Sequence, residues 1–190
     1  MFAGNRHVTA RATSGILFFC VMATIATSGD REKLGMRFPD VMSKDLNGKI
    51  WTLPADLAGR PALLLVAFQR RHQSLVDDWL QTVTDLESDY PLLQVLELPV
   101  IAALNPAARW FINSGMRGGI PDRAARGRTI TLYLDKEAFR SALNIEDEET
   151  ITAFLLDMDG RVAWRHSGPR TEAAGGELRN ALALLKGASQ

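Results

Sequence analysis

The chain has 190 residues, of which 46% are hydrophobic and 23% are charged. This composition is typical of a globular protein, and the length suits one domain with a single hydrophobic core. The 22 basic and 22 acidic side chains give a formal net charge of zero. That balance argues against a dedicated nucleic-acid-binding protein, which normally carries a clear excess of basic residues.

The first 28 residues differ from the rest of the chain. Arg6 and Arg11 precede an apolar run at 15–26, and small residues follow it. This pattern is typical of a secretory signal peptide, either cleaved or kept as an anchor. The lack of acidic residues before Asp30 also suits a mitochondrial presequence, and a disordered tail is the third interpretation. The predicted organisation is a leader or anchor at 1–28, a linker at 29–37 and a domain at 38–187.

The only cysteine, Cys20, lies inside the apolar run. If this run is removed, the mature protein holds no thiol. Disulfide exchange needs an attacking thiolate, so this chemistry would then be excluded. The histidines His7, His72 and His166 fall in different segments and predict no metal site. We also predict no cofactor.

The domain begins with a predicted hairpin and a buried strand. The hairpin covers 38–61, and Asn47 and Gly48 are expected to supply the two positive-φ positions of its turn. Residues 62–68 are all apolar, which indicates a central strand that is covered on both faces.

A helix and a second strand are predicted next. Apolar residues recur at helical spacing over 74–88. Ser74 and Asp77 form the capping box that is expected to begin this helix. Residues 92–100 then predict a strand.

The following helix is predicted to start at Pro106, with Asn105 as its cap. Gly115 is expected to end it. The Gly- and Arg-rich segment 116–128 is predicted to be a loop.

The last elements are a strand and short helix, a hairpin and a closing helix. The strand covers 129–135, and Asp135 caps the short helix. The hairpin turns at 158–160. Thr171 is the predicted cap of the closing helix and Gly187 its end.

This order of elements resembles the thioredoxin-like superfamily, including its peroxiredoxin and thiol–disulfide reductase branches. There a D-x-x-G turn joins two strands before the last helix, as at 157–160 here. The resemblance implies an α/β fold: a mixed β-sheet flanked by helices, with an N-terminal hairpin and an inserted strand–helix. It places the redox pair at about Gln73 and Val76 and a cis-proline near Ile151, yet these residues are neither cysteine nor proline. Thiol–disulfide oxidoreductase or peroxidase activity is therefore not expected.

The segment GMRGGIPDRAARGRTITLYLDKEAFRSALNI and the later FLLDMDGRVAWRHSG are similar to a second family. This is the mitochondrial ATP synthase assembly factor, the Fo-sector chaperone ATP-ten. It likewise joins a degenerate thioredoxin-like fold to a T-x-x-L-Y strand and a D-x-x-G-x-x-x-W hairpin. The likeness covers roughly the C-terminal half together with Trp79. It implies binding to a hydrophobic membrane subunit rather than catalysis.

The polar segment after the central strand is the first candidate site. Its residues are Gln69, Arg70, Arg71, His72 and Gln73. At a helix N-terminus, free N–H groups and the helix dipole favour an anion or an acidic partner. A solvated loop is the alternative interpretation.

The predicted loop at 116–128 is the second candidate. Its arginines are Arg117, Arg123, Arg126 and Arg128. Arginine binds carboxylate and phosphate groups, so the loop could dock an acidic surface or lipid headgroups. A solvated loop that balances the acidic run at 146–149 is an equal alternative.

Trp110 and Phe111 form the third candidate, because adjacent residues of one helix cannot both face inward. They are the best candidates for an exposed apolar contact. Trp79 and Trp164 instead fall at predicted core positions.

These features predict a redox-inactive thioredoxin-like binding protein. Its expected partner is a protein, such as a membrane-complex subunit that it chaperones during assembly, and not a nucleic acid. The arginine loop is compatible with peripheral membrane contact. The expected location is periplasmic or exported, and mitochondrial is the alternative. A cofactor-free hydrolase or isomerase with His72 as general base is the competing function.

Overall fold

The computed structural model describes Met1 and residues 34–188. The predicted leader beyond Met1, with Cys20, lies outside the described residues. The elements follow in the order β1 Val41–Lys44, β2 Ile50–Leu53, β3 Ala62–Ala67, α1 Gln73–Glu87, β4 Gln94–Ala102, α2 Pro106–Gly119, α3 Arg123–Arg128, β5 Leu132–Leu134, α4 Lys136–Ala142, β6 Thr152–Leu156, β7 Val162–Ser167 and α5 Glu172–Ala188.

Five strands form the central sheet in the spatial order β5, β4, β3, β6, β7. β3 runs parallel to β4 and antiparallel to β6, and β4 runs parallel to β5. A parallel pair needs a crossover connection, and α1 supplies it between β3 and β4. β1 and β2 pair as a separate antiparallel hairpin. The predicted mixed sheet flanked by helices, with its N-terminal hairpin, is confirmed.

β3 lies at the centre of the hydrophobic core. Leu63 packs on one face of the sheet with Trp79 of α1. Leu64 packs on the other face with Phe38 and with Phe139 of α4. Because side chains alternate across a strand, an apolar run such as β3 fills both faces at once. The prediction of a central, doubly covered strand is confirmed.

β5 and α4 form the inserted strand–helix, and β5 lies at the edge of the sheet. The strand is shorter than the predicted 129–135. Its start is replaced by two isolated bridges, one from Thr129 to Glu97 and one from Ile130 to Asp45. These bridges attach the N-terminal hairpin and the sheet edge to each other.

The predicted loop at 116–128 is largely helical. α2 continues past Gly115 to Gly119, and Gly115 does not take the positive φ that ends helices at glycine. α3 begins after Asp122, whose carboxylate accepts hydrogen bonds from the backbone N–H groups of Ala124 and Ala125 at 3.3 and 2.7 Å. The glycines of 116–128 favoured a loop, so the sequence did not predict Asp122 as a helix cap.

Three caps that the sequence predicted are confirmed. Asn105, Asp135 and Thr171 each accept a hydrogen bond from the backbone N–H three residues later, at 2.9, 3.1 and 3.1 Å. Side chains of this kind satisfy one of the free N–H groups at a helix start.

Two helix ends differ from the prediction. The Ser74 capping box is wrong, because α1 begins at Gln73 directly from a short 3₁₀ turn, Arg70–His72. No side chain caps α1, since His72 has helical and not extended backbone angles. α5 reaches Ala188, so Gly187 does not end it.

The turn of the N-terminal hairpin also differs from the prediction. Gly48 has a positive φ of 94°, but Asn47 is not among the positive-φ residues. The Asp45 carboxylate shapes the turn by accepting hydrogen bonds from the N–H groups of Asn47 and Lys49 at 2.9 and 3.0 Å. The turn therefore depends on an aspartate whose role was not predicted.

Candidate functional site

The candidate site begins at the hinge between β3 and α1. Gln69 is extended, and the 3₁₀ turn that follows leads directly into α1. Gln73 is exposed at the start of α1, whereas Val76 is 3% exposed and belongs to the core. The hinge therefore offers polar side chains and one buried valine where a reactive pair would stand.

The loop at 146–149 holds the hinge in place. The Gln69 side-chain amide donates a hydrogen bond to the Glu148 carbonyl oxygen at 2.7 Å. The Arg71 guanidinium forms an ion pair with the Glu149 carboxylate. Arg70 is exposed. Most of the hinge's polar groups are thus engaged within the domain.

His72 lies in the interior and not at the surface. It is 2% exposed, and its Nε2 atom donates to the Glu149 carbonyl oxygen at 3.1 Å. Nδ1 has no hydrogen-bond partner among the described residues. The His72 ring therefore anchors the neighbouring loop, and the proposed contact of His72 with a ligand stays a prediction.

The acidic run at 146–149 is neutralised by the hinge and α4. Glu148 forms ion pairs with Lys136 and, at 3.8 Å, with Arg140. The run directly precedes β6, and β6 pairs with β3, so it lies beside the hinge. The interpretation that it balances the arginines of 116–128 is therefore wrong.

Three of the four candidate arginines lie at the turn of the N-terminal hairpin, since Arg117, Arg123 and Arg126 form hydrogen bonds with Leu46 or Asn47. Arg117 donates from Nε to the Leu46 carbonyl oxygen at 2.9 Å, and Arg123 is exposed. The Nε atom of Arg126 is buried and has no partner within the described part of the chain. Arg128 donates from Nε to Glu97 at 3.0 Å. Of the four, Arg123 is the most available to a partner.

α2 presents its two large aromatic residues to solvent. Trp110 and Phe111 are 70% and 74% exposed, and no residue of α2 is fully buried. Polar contacts attach the helix to β5: the Tyr133 hydroxyl donates to Asn113 at 2.8 Å, and the Arg109 guanidinium lies 5.1 Å from the Tyr133 ring centre. The predicted exposure of the aromatic pair is confirmed.

Glu97 on β4 is a buried charged residue that the sequence analysis missed. It is 6% exposed, and Arg128 is its ion-pair partner. The pKa of Glu97 is raised, mainly because burial disfavours the charged carboxylate. The hydrogen bond and the positive charge of Arg128 lower this pKa. The negative charge of Asp77 raises it further, and a hydrogen bond from Gln73 lowers it. Its signal in the sequence was an acidic residue inside the apolar strand LQVLELPV. Glu97 connects the hinge, through Gln73, with the arginine segment.

A cavity of about 340 Å³ opens beside this cluster. It lies between α1 and the start of β4, next to the C-terminal end of α3. The residues that line it are Asp77, Leu80, Gln81, Val83, Thr84, Val95 and Arg128. The lining combines apolar side chains with groups of both charges.

Residues 34–188 contain no group of three or more His, Cys, Asp or Glu side chains placed to hold a metal ion. Among the helices of the same range, none is both long and apolar enough to cross a membrane.

Comparisons with known proteins rest on structure alone, since no protein-family model and no curated protein matches the sequence. A protein from Aquifex aeolicus VF5 described as an electron transport protein has a TM-score of 0.60 at 15% identity, covering 81% of this chain and 99% of that one. A DsbE-type thiol:disulfide interchange protein from Chlorobium tepidum has a TM-score of 0.52 at 17% identity, covering 80% and 96%. The exposed lipoprotein thioredoxin Etrx1 of Streptococcus pneumoniae has a TM-score of 0.52 at 14% identity, covering 76% and 99%.

The chain has a thioredoxin-like fold. This confirms the fold that the order of elements indicated, and the similarity to the assembly factor ATP-ten stays a prediction. Because Cys20 is the only cysteine, residues 34–188 of this thioredoxin-like domain carry no thiol. The candidate residues then fall into three groups: the hinge, the exposed aromatic pair of α2, and the Glu97–Arg128 cluster with its cavity.

Proposed function

We propose that this chain is a redox-inactive thioredoxin-like binding protein that docks a protein partner. The partner is a hydrophobic subunit of a membrane complex, and the chain acts as its assembly factor or chaperone. The contact surface is α2, with Trp110 and Phe111 at its centre and the exposed Arg123 of α3 as an additional cation.

The exposed aromatic pair is the observation that carries this proposal. Two adjacent aromatic side chains, each more than two-thirds exposed, lie on a helix without a fully buried residue. Tryptophan is enriched among the residues that dominate binding energy in protein interfaces. Burying the Trp110 ring against an apolar partner would remove apolar surface from water and so stabilise the complex.

The hinge supports a role without thiol chemistry. Gln73 is an amide and Val76 is sealed in the core, so neither supplies a nucleophile at this position. The ion pair of Arg71 with Glu149 and the two hydrogen bonds to the 146–149 loop stabilise the hinge as a structural element.

The proposed location is exported, either periplasmic or attached to a membrane. The basic and apolar pattern within 1–28 supports it, and one structural neighbour is an exposed lipoprotein. A mitochondrial location is the alternative, and the acid-free leader accommodates it.

The hydrolase or isomerase alternative gains no support from the geometry. A general base must come within hydrogen-bond reach of its substrate. The His72 ring is 2% exposed and bonded to the Glu149 carbonyl group.

Site-specific photo-crosslinking in membranes tests the proposal. A photoreactive amino acid at position 111 of the full-length chain should give a discrete adduct, and mass spectrometry would identify the partner. The Trp110→Ser variant should reduce that adduct strongly. Leu184→Ser is the matched control, because Leu184 is a 76% exposed hydrophobic residue on another helix, α5.

Equal adduct yields from Trp110→Ser and Leu184→Ser would contradict docking through α2. Insulin-reduction and peroxide-turnover assays should both be negative. Turnover in either assay would overturn the redox-inactive assignment.

A further inference from the structure

The cavity beside α1 has the dimensions of a small-molecule site. Its volume of about 340 Å³ falls in the range of about 300 to 1,000 Å³ that ligand pockets occupy. Val83 is 2% exposed, and the partly buried Leu80 and Val95 extend the apolar part of the wall. The other four lining residues, Asp77, Gln81, Thr84 and Arg128, are polar or charged, and groups of this kind fix the orientation of a bound ligand.

One positive and one negative side chain line this cavity, and each is held by a neighbouring residue. Arg128 provides the positive group, and its Nε atom is held by the buried Glu97 at 3.0 Å. A guanidinium has five N–H donors, so this bond fixes the group and leaves donors on its terminal nitrogens. Asp77 provides the negative group, and the Gln73 side-chain amide steadies it through a hydrogen bond of 3.0 Å.

Glu97 gives the arrangement its rigidity. The Glu97 carboxylate is 6% exposed, and burying it is costly unless it stays paired with Arg128. The Arg128 side chain is 39% exposed, so it still reaches solvent at the cavity. A charged group that is held by a buried partner beside an open cavity is preorganised for a ligand of opposite charge.

We propose that this cavity binds a small zwitterion of the free aliphatic amino acid class. The ligand carboxylate pairs with the terminal nitrogens of Arg128, and its ammonium group pairs with Asp77. Its side chain lies against Leu80, Val83 and Val95. The site is separate from the aromatic pair of α2, so it is independent of the proposed partner docking.

Isothermal titration of the full-length chain tests the proposal, with L-leucine as the probe. Two leucine analogues each lack one charge: L-leucinamide has no carboxylate, and 4-methylpentanoic acid has no ammonium group. Each analogue should bind about tenfold or more weakly than leucine, since hydrogen bonds to charged groups contribute about 1.5 to 3 kcal/mol.

Two variants with neighbouring controls test the protein side. Asp77→Asn should weaken leucine binding by about tenfold or more, whereas Asp78→Asn, next to it on α1, should not. Arg128→Gln should also weaken leucine binding by about tenfold or more, whereas the control Arg123→Gln, in the same short helix, should not. Arg128→Gln also leaves the buried Glu97 without its ion-pair partner, so this variant changes more than the ligand contact. Leucinamide tests the contact between Arg128 and the ligand carboxylate without any change to the protein.

Three results would overturn the proposal. The first is no binding of leucine at millimolar concentration. The second is equal affinity for leucine and leucinamide. The third is an equal loss of affinity in the Asp77→Asn and Asp78→Asn variants.

Discussion

The hinge after β3 and the helix α2 both follow the carboxyl ends of parallel strands, yet their side chains are used in opposite ways. At the hinge, Gln69, Arg71 and His72 all contact the loop at 146–149. On α2, Trp110 and Phe111 remain in solvent. The segment 103–128 also holds five arginines and one acidic residue, within a chain of zero net charge.

This contrast shows where the molecule can still form contacts. A group that is already paired inside a domain gains little from a partner, since one bond is exchanged for another. An exposed aromatic group gains by burial, and an exposed cation attracts acidic surfaces. The hinge is therefore largely structural, and α2 is the side of the domain that is open to a partner.

The largest expected effect separates Trp79, which is buried on the inner face of α1, from Trp110, which is exposed on α2. Trp79→Ala should lower the free energy of unfolding by about 3 to 5 kcal/mol, because it removes a fully buried ring and leaves a cavity. Trp110→Ala should change it by about 0.5 kcal/mol or less. Urea denaturation followed by circular dichroism measures both, and similar losses would contradict the assignment of Trp110 to a free surface.

The second prediction concerns Glu97, the buried acid that contacts Gln73 at the start of α1. Burial raises the pKa of Glu97 above its ordinary value of 4.5, so the folded protein keeps a proton that the unfolded chain releases. The carboxyl's contribution to stability is therefore complete below about pH 4.5 and declines as the pH rises through the folded-state pKa.

Glu97→Gln should remove this pH dependence, because an amide does not titrate. The stability of the wild type relative to Glu97→Gln should fall between acidic and neutral pH in denaturation curves. Glu137→Gln, at an exposed glutamate of α4, should show no such trend. A relative stability that rises with pH would show that the Arg128 ion pair outweighs burial.

A smaller effect is expected at the start of α2. Asn105→Ala should cost about 1 kcal/mol, the typical loss when a helix cap is removed. Because α2 has no fully buried residue, amide hydrogen exchange should accelerate in its first turn more than in the rest of the domain. Uniform acceleration across the sheet would mean that α2 is coupled to the core.

The smallest effect is expected at the hinge surface. The ion pair between Arg71 and Glu149 is exposed, so Arg71→Ala should cost less than about 1 kcal/mol. The loss should shrink further at high salt, where surface charges are screened. If Arg71→Ala abolishes the photo-crosslink from position 111 while stability is retained, the hinge is part of the contact surface after all.

The sequence determined the central architecture through local signals. The uninterrupted, short apolar run at 62–68 favoured a strand that is covered on both faces. The caps at Asn105, Asp135 and Thr171 were readable because each requires only residues three positions apart. Helical geometry showed that Trp110 and Phe111 could not both face inward, and the structure exposes both.

The tertiary structure decided which polar groups meet. Glu97, Gln73 and Arg128 are far apart in the chain, and the crossover from β3 to β4 and the added edge strand β5 bring them together. The same folding sends the acidic run at 146–149 to the hinge and not to the arginines, and it buries His72. Charges interact through space over a few ångströms, so their partners depend on the packing of the whole domain and not on neighbouring sequence.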